Sequence, residues 1–224
     1  KVHINFAGSA PQTPGANNSS FGVMQAAAGI PIMCAIDPSI PHNDGCLRHI
    51  SAEAPEGSVC NAQYPASTAL ATIGPDDTMQ DAVWKALAKA VPERVIGGNG
   101  RIPNVPFFSG TDSREAEDRE WGCMFFNGAT AGGASSSTDG WPLIMTSAGM
   151  GGLKILSVEM SEMLYPMRIG RQEINTDSMG HGKYHGGPGV NIQISPTSGA
   201  MECNLFGDGQ LNPPFGVMGG TQGM

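Results

Sequence analysis

An α+β fold, built mostly on antiparallel sheet with few helices and long glycine-rich loops, is what this sequence predicts, and three observations predict it. Short segments of alternating apolar and polar residues recur, each long enough for a strand and too short for a helix. One clear helical period with start and stop signals stands among them, at residues 77–91. Glycine is abundant, with 32 in 224 residues, about twice its usual ~7% share.

The elements follow in chain order. Residues 1–6 alternate, with Val2, Ile4 and Phe6 on one side and His3 and Asn5 on the other, so the chain opens in a strand. Residues 17–20 offer helix caps, and the alanine-rich stretch 21–30 reads as a helix that Pro31 interrupts. Residues 37–41 form a turn. In 77–91, Asp77 can cap with Gln80 three places on. Met79, Val83, Leu87 and Val91 form an apolar stripe, and Pro92 stops the helix. Residues 97–110 read as a loop, 111–120 as a charged, solvated turn, 121–126 as a buried strand and 132–140 as a small-residue loop. Strands return at 155–159, 166–174, 190–195 and 201–206. No repeat and no clean linker divides the chain.

Composition narrows the function classes. Charged residues make up 14%, well under the usual ~25%, so much of the surface is expected to be covered by another chain. The net charge of -8 argues against nucleic acid, which would need a basic stripe. No stretch approaches the ~20 apolar residues of a membrane helix. Five cysteines, Cys34, Cys46, Cys60, Cys123 and Cys203, with no C-x-x-C, fit neither a disulfide framework nor a zinc ribbon. Buried, reduced thiols in a cytoplasmic protein are expected.

The most informative run is Asp177-Ser-Met-Gly-His-Gly-Lys-Tyr-His-Gly-Gly-Pro-Gly189, with five glycines in thirteen residues. It cannot be a helix and would make a weak strand. Such a run suits backbone that turns tightly or lies close to something else, and a half-buried strand pattern follows it from Val190. It resembles the D-S-G-G-x-G-x-x-R-G-G-x-G text of the hydantoinase B family. Tyr165-Pro-Met-Arg168 is similar to that family's Tyr-Pro-Leu-Arg, and Phe6-Ala-Gly-Ser-Ala-Pro-Gln12 to its D-F-S-G-T-S-P-Q. Asn43-Asp-Gly-Cys-Leu-Arg-His-Ile50, with Ala54-Pro-Glu-Gly-Ser58, resembles N-x-G-x-x-R-P-I and its Pro-x-Gly turn. The matches are collinear over nearly the whole chain.

The resemblance implies a subunit of an ATP-dependent hydantoinase, oxoprolinase, lactamase or ketone carboxylase. Residues 1–224 would be the middle and C-terminal region of a longer B-type pattern. ATP and Mg would sit on an A-type partner subunit. A Zn, Mn or Fe site would belong to the preceding part of the B-type subunit, with none on this chain. The remaining partners are the rest of the B-type subunit and a small carbonyl substrate. Hydrolysis of a cyclic amide stands slightly ahead of ketone carboxylation, and a non-catalytic scaffold role stays open.

Four features could carry chemistry. His181 and His185, with Asp177, have the spacing of a metal face only on a helix, which the intervening glycines forbid. His185 also stands where relatives carry Arg, which points to a polar or phosphate-facing role. Glycine turns could cradle an anion, although no G-x-x-x-x-G-K-[ST] exists here. In 43–50, Cys46 and His49 on an extended strand would face opposite sides, against a Cys/His nucleophile. Arg48 is instead expected in a buried hydrogen-bonding role beside Asn43. Lastly, Gly132-Gly-Ala134 and Asp139-Gly-Trp-Pro142 match a family segment whose histidine is missing at 141–147. Asn43, Arg48, Asp139, His181 and His185 are the substrate-cavity or structural candidates.

Overall fold

The computed structural model describes residues 1–37, 39–100, 105–128, 130–144 and 154–224. Four α-helices and seven strands lie among them, in sheets that are antiparallel but for one pair.

The exception opens the chain. Strand β1 (Val2–Asn5) runs parallel to β2 (Ile50–Glu53), with Val2 opposite Ile50 and Asn5 opposite Glu53. A parallel pair needs a crossover, supplied here by α1 (Phe21–Ile36) and the single turn α2 (Asp44–Leu47). Ser20 starts α1 by accepting the Val23 N–H on its hydroxyl at 3.4 Å. The helix runs on through Pro31 to Ile36 rather than stopping at residue 30. An interior proline costs about 3 kcal/mol. Tertiary packing overrides it, because Met24, Ala27, Ala28, Ile32 and Met33 are all buried along with Pro31.

Helix α3 spans Pro75–Leu87, displaced from the predicted 77–91. Pro75 takes the first position, where its missing N–H is no loss. Gly74 is therefore the N-cap, and Asp77 lies buried in the first turn rather than capping it. Pro92 does not stop this helix; it opens a short 3-10 turn, Pro92–Arg94. Met79 and Val83 of the stripe are buried with Trp84, whereas Leu87 and Val91 are half-buried. Met79 joins Met24, Ala27, Ala28, Ala52 and Cys60 in one core.

A second layer combines β3 (Phe107–Asp112), β4 (Arg119–Met124) and β7 (Met201–Asn204) in the order β4-β3-β7. Beside it lies the antiparallel pair β5 (Met167–Ile174) and β6 (Val190–Pro196). Phe108, Phe125, Met167 and Ile169 bury one another across the two. Strand β4 is half exposed rather than buried, and the expected solvated turn shrinks to the residues between β3 and β4.

The strand expected at 155–159 is instead the start of α4 (Val158–Leu164), which Ser157 caps by accepting the Met160 N–H at 3.2 Å. A favourable cap and Glu159 in the first turn outweigh the short alternation. Arg114 closes the other end of α4. Its guanidinium donates to the carbonyls of Glu162, Met163, Leu164 and Tyr165 at 3.0–3.3 Å while gripping both oxygens of Asp112.

Candidate functional site

Two of the sequence motifs converge at the start of the chain. The segment 6–12 lies along 53–63: Phe6 N–H donates to Glu53, Val59 N–H to Ala10 and Gln12 N–H to Gly57, all at 2.8–2.9 Å. Gly57 turns with φ +74°, a conformation that favours glycine. Asn18, wholly buried, fixes the loop behind them. Its amide donates to the carbonyls of Thr13, Gly15 and Ser67 at 2.9–3.0 Å and its oxygen accepts the Thr13 N–H at 2.7 Å. This is a scaffold of satisfied polar groups.

The 177–189 run forms a different kind of place. Its neck is closed by Ser178, whose hydroxyl donates to the Asn175 carbonyl and accepts the Gly189 N–H, both at 2.8 Å. Asn175 N–H returns to the Gly189 carbonyl at 2.8 Å. The loop then threads a lattice of glycine-rich backbone. Gly97 donates to Ala134, Gly98 to Phe215, Gly132 to Trp141 and Gly187 to Gly132, each at 2.8–2.9 Å. The approach leaves no room for side chains. A Cβ on Gly133 would sit 2.0 Å from the Gly97 carbonyl oxygen, and one on Gly140 2.0 Å from that of Gly132.

A cleft of about 550 Å³ lies in this lattice, bordered by Thr130, His181, Lys183, Tyr184, Asp208 and Thr221 among its glycines. That volume suits a small molecule. Phe215 and Val217 of the tail pack on the buried Ala35, Trp84 and Val95, which anchors the cleft to the helical layer.

The structure brings three of the five candidates together. His181 and His185 meet with Nδ1 atoms 3.2 Å apart, and His185 N–H donates to Asp139 Oδ1 at 2.8 Å. His181 lines the cleft. Asn43 and Arg48 lie elsewhere. Asn43 is the N-cap residue of α2, its carbonyl accepting the N–H of Cys46 at 3.1 Å. Arg48 is exposed and pairs with Asp44 at 2.7 Å, so the expectation of a buried role is corrected: the chain turns helically here, and i,i+4 spacing gives the guanidinium a surface partner. The same helical turn replaces the extended strand expected around Cys46. Its thiol meets the carbonyls of Pro41 and Asn43 at 3.1 Å and Met33 Sδ at 3.7 Å.

The cysteines are free. Of the five only Cys60 is buried, a correction to the expected set of buried thiols. Burial pushes the Cys123 thiol up to about 11, far from a reactive thiolate. Residues 145–147 of the altered family segment lie outside the described residues.

An α+β scaffold with a glycine-framed cleft of about 550 Å³ is thus the class of protein defined here. The family model for hydantoinase B/oxoprolinase matches residues 1–224, and the chain belongs to that family. It is 33% identical over 212 residues to the caprolactamase subunit beta of Pseudomonas jessenii, covering 94% of this chain and 36% of the relative. The crystal structure of the ATP-dependent caprolactamase from Pseudomonas jessenii superposes with TM-score 0.74 at 31% identity, over 87% of this chain and 33% of that one. A nucleotide-free acetone carboxylase matches with TM-score 0.86 at 20% identity, over 99% and 30%, a likeness of fold alone. The chain therefore spans about a third of the length of these relatives.

Proposed function

We propose that this chain is part of the B-type subunit of an ATP-dependent enzyme that hydrolyses a cyclic amide. The observation that carries this is the 33% identity to a caprolactamase beta subunit across 94% of the chain. An A-type partner subunit holds ATP and Mg, which supply an activating phosphoryl group for the amide carbonyl oxygen. Any Zn, Mn or Fe lies in the rest of the B-type subunit. The sequence fits this division, because it has no phosphate-binding P-loop.

This chain's contribution is a wall of the substrate cavity. Close-packed glycines let backbone approach a small ring, and His181, Thr221 and Lys183 present hydrogen-bonding groups at its edge. Among the described residues no helix is long and apolar enough to cross a membrane. The low charged fraction, 14%, fits a surface partly covered by partner subunits.

The test is co-expression with an A-type subunit and assay of ADP release against lactams, hydantoins and 5-oxoproline, then against ketones with bicarbonate. Stimulation by a cyclic amide is expected. Stimulation only by ketone with bicarbonate assigns a carboxylase. A stable complex that releases ADP with neither assigns a scaffold.

A further inference from the structure

Strands β1 and β2 make a sheet of two, and its two edges are finished differently. In a parallel ladder the main-chain groups of alternate residues point to opposite sides. The Val2 N–H donates to His49 at 2.9 Å and the Phe6 N–H to Glu53 at 2.8 Å, so Val2, Ile4 and Phe6 face β2. The N–H and C=O groups of His3 and Asn5 therefore face away. Among the described residues β1 has no second neighbour to meet them.

The outer edge of β2 is closed by side chains. Gln25 of α1 donates its amide to the Ala52 carbonyl at 2.9 Å, and Asn61 donates to the Ala54 carbonyl just past the strand at 3.3 Å. On β1 the side chains turn the other way. His3 Nδ1 meets Ser51 Oγ at 3.0 Å and Asn5 donates to Glu53 at 2.7 Å, both on the exposed face of the sheet. The strand has no proline and its register no bulge, two devices that blunt a free edge. The inner face is open on the same flank: Ile4 is half-buried, whereas Ala52, its partner on β2, is buried.

From this asymmetry we infer that the edge of β1 receives a further strand, supplied by the part of the same B-type subunit that lies outside residues 1–224. Two observations choose that occupant. Only His3 and Asn5 of the four-residue strand face outward, an edge far too short to bury the roughly 1,200–2,000 Å² that holds a separate protein in place. A strand on the same polypeptide needs no such area, because its effective concentration beside the edge is high. The chain also spans only 36% of the caprolactamase subunit beta that it matches, so a B-type subunit of that length has the residues to spare. The inference rests on reading this chain as part of such a subunit, and not on which reaction the complex performs.

Hydrogen exchange at single-residue resolution, in the co-purified complex of the whole subunit, tests it. Ile4 is the internal standard, since its amide already faces β2. The His3 and Asn5 amides are expected to exchange as slowly as that of Ile4. Exchange faster by more than about tenfold, or about 1.4 kcal/mol of lost protection, leaves the edge free and overturns the inference. A cryo-electron microscopy map of the same complex identifies the occupant. A strand of the same subunit hydrogen-bonded to His3 and Asn5 is expected; a strand of another chain, or solvent along the edge, overturns the inference. Cyclic-amide turnover is a separate readout. A free edge in an active complex therefore overturns this inference alone, and a filled edge in a complex without that activity upholds it while overturning the proposed reaction.

Discussion

At the scale of single residues, the chain is held by polar groups that close on themselves. Asn18 is the clearest: four hydrogen bonds to one buried amide close the loop from Thr13 to Asn18 and hold it to Ser67. Asn18→Ala should cost about 1–3 kcal/mol for each buried group left unpaired, read as a lower denaturant midpoint. Asp76 behaves differently. Burial pushes its carboxyl from 3.8 up to about 6, against the opposing Gln80 amide at 3.0 Å. A carboxyl whose folded pKa is raised binds its proton more tightly in the native state. Its contribution to stability is therefore full below pH 3.8 and is lost as pH rises through about 6. Asp76→Asn should flatten that part of the pH–stability curve; an unchanged slope over the window would show that Asp76 titrates normally. None of this was legible in the sequence. Asn18 looked like one of several possible helix caps, and Arg114 like part of a charged turn, because partners 50 residues away leave no local pattern. The pairing of His185 with Asp139, 46 residues apart, was hidden for the same reason, although both residues stood out by type.

At the scale of elements, strand periodicity was readable and helix ends were not. Strands β5 and β6 lie within a residue of where alternation puts them, because one face of each packs on the Phe108–Met167 core. Helix α1 outran its proline, and α3 began at one, since burial and first-turn geometry outweighed the cap signals. The corrected stripe shifts the expected mutational cost toward the middle of α3. Met79→Ala, at a position 3% exposed, should lose about 2–5 kcal/mol, and half-buried Leu87→Ala distinctly less. Equal losses by chemical denaturation would place Leu87 back in the core. The glycine lattice makes a sharper prediction. Gly133→Ala puts a methyl 2.0 Å from the Gly97 carbonyl oxygen, so the backbone must part and stability should fall by about 1–3 kcal/mol or more. A neutral effect would mean that the segments are not in contact.

At the scale of the whole molecule, two layers of different make-up meet at a cleft that belongs to neither. The helical β1–α1–β2 unit and the antiparallel sheets supply the cores. The glycine segments between them carry the family's signature and the candidate small-molecule surface. The motifs made the family legible because its glycines mark where backbones touch, and touching backbones tolerate few substitutions. The chemistry stayed less legible, since the chain spans about a third of its relatives' length. In the function we propose, the assembled enzyme adds water across an ATP-activated cyclic amide. Its most direct test is mass analysis of the product formed by the co-purified complex with a lactam, ATP and heavy-oxygen water, with labelled bicarbonate present in the same reaction. A ring-opened amino acid carrying heavy oxygen in its new carboxylate, with no carbon from bicarbonate, is the predicted result. Labelled carbon in the product, or ring opening that proceeds equally well without ATP, would contradict it.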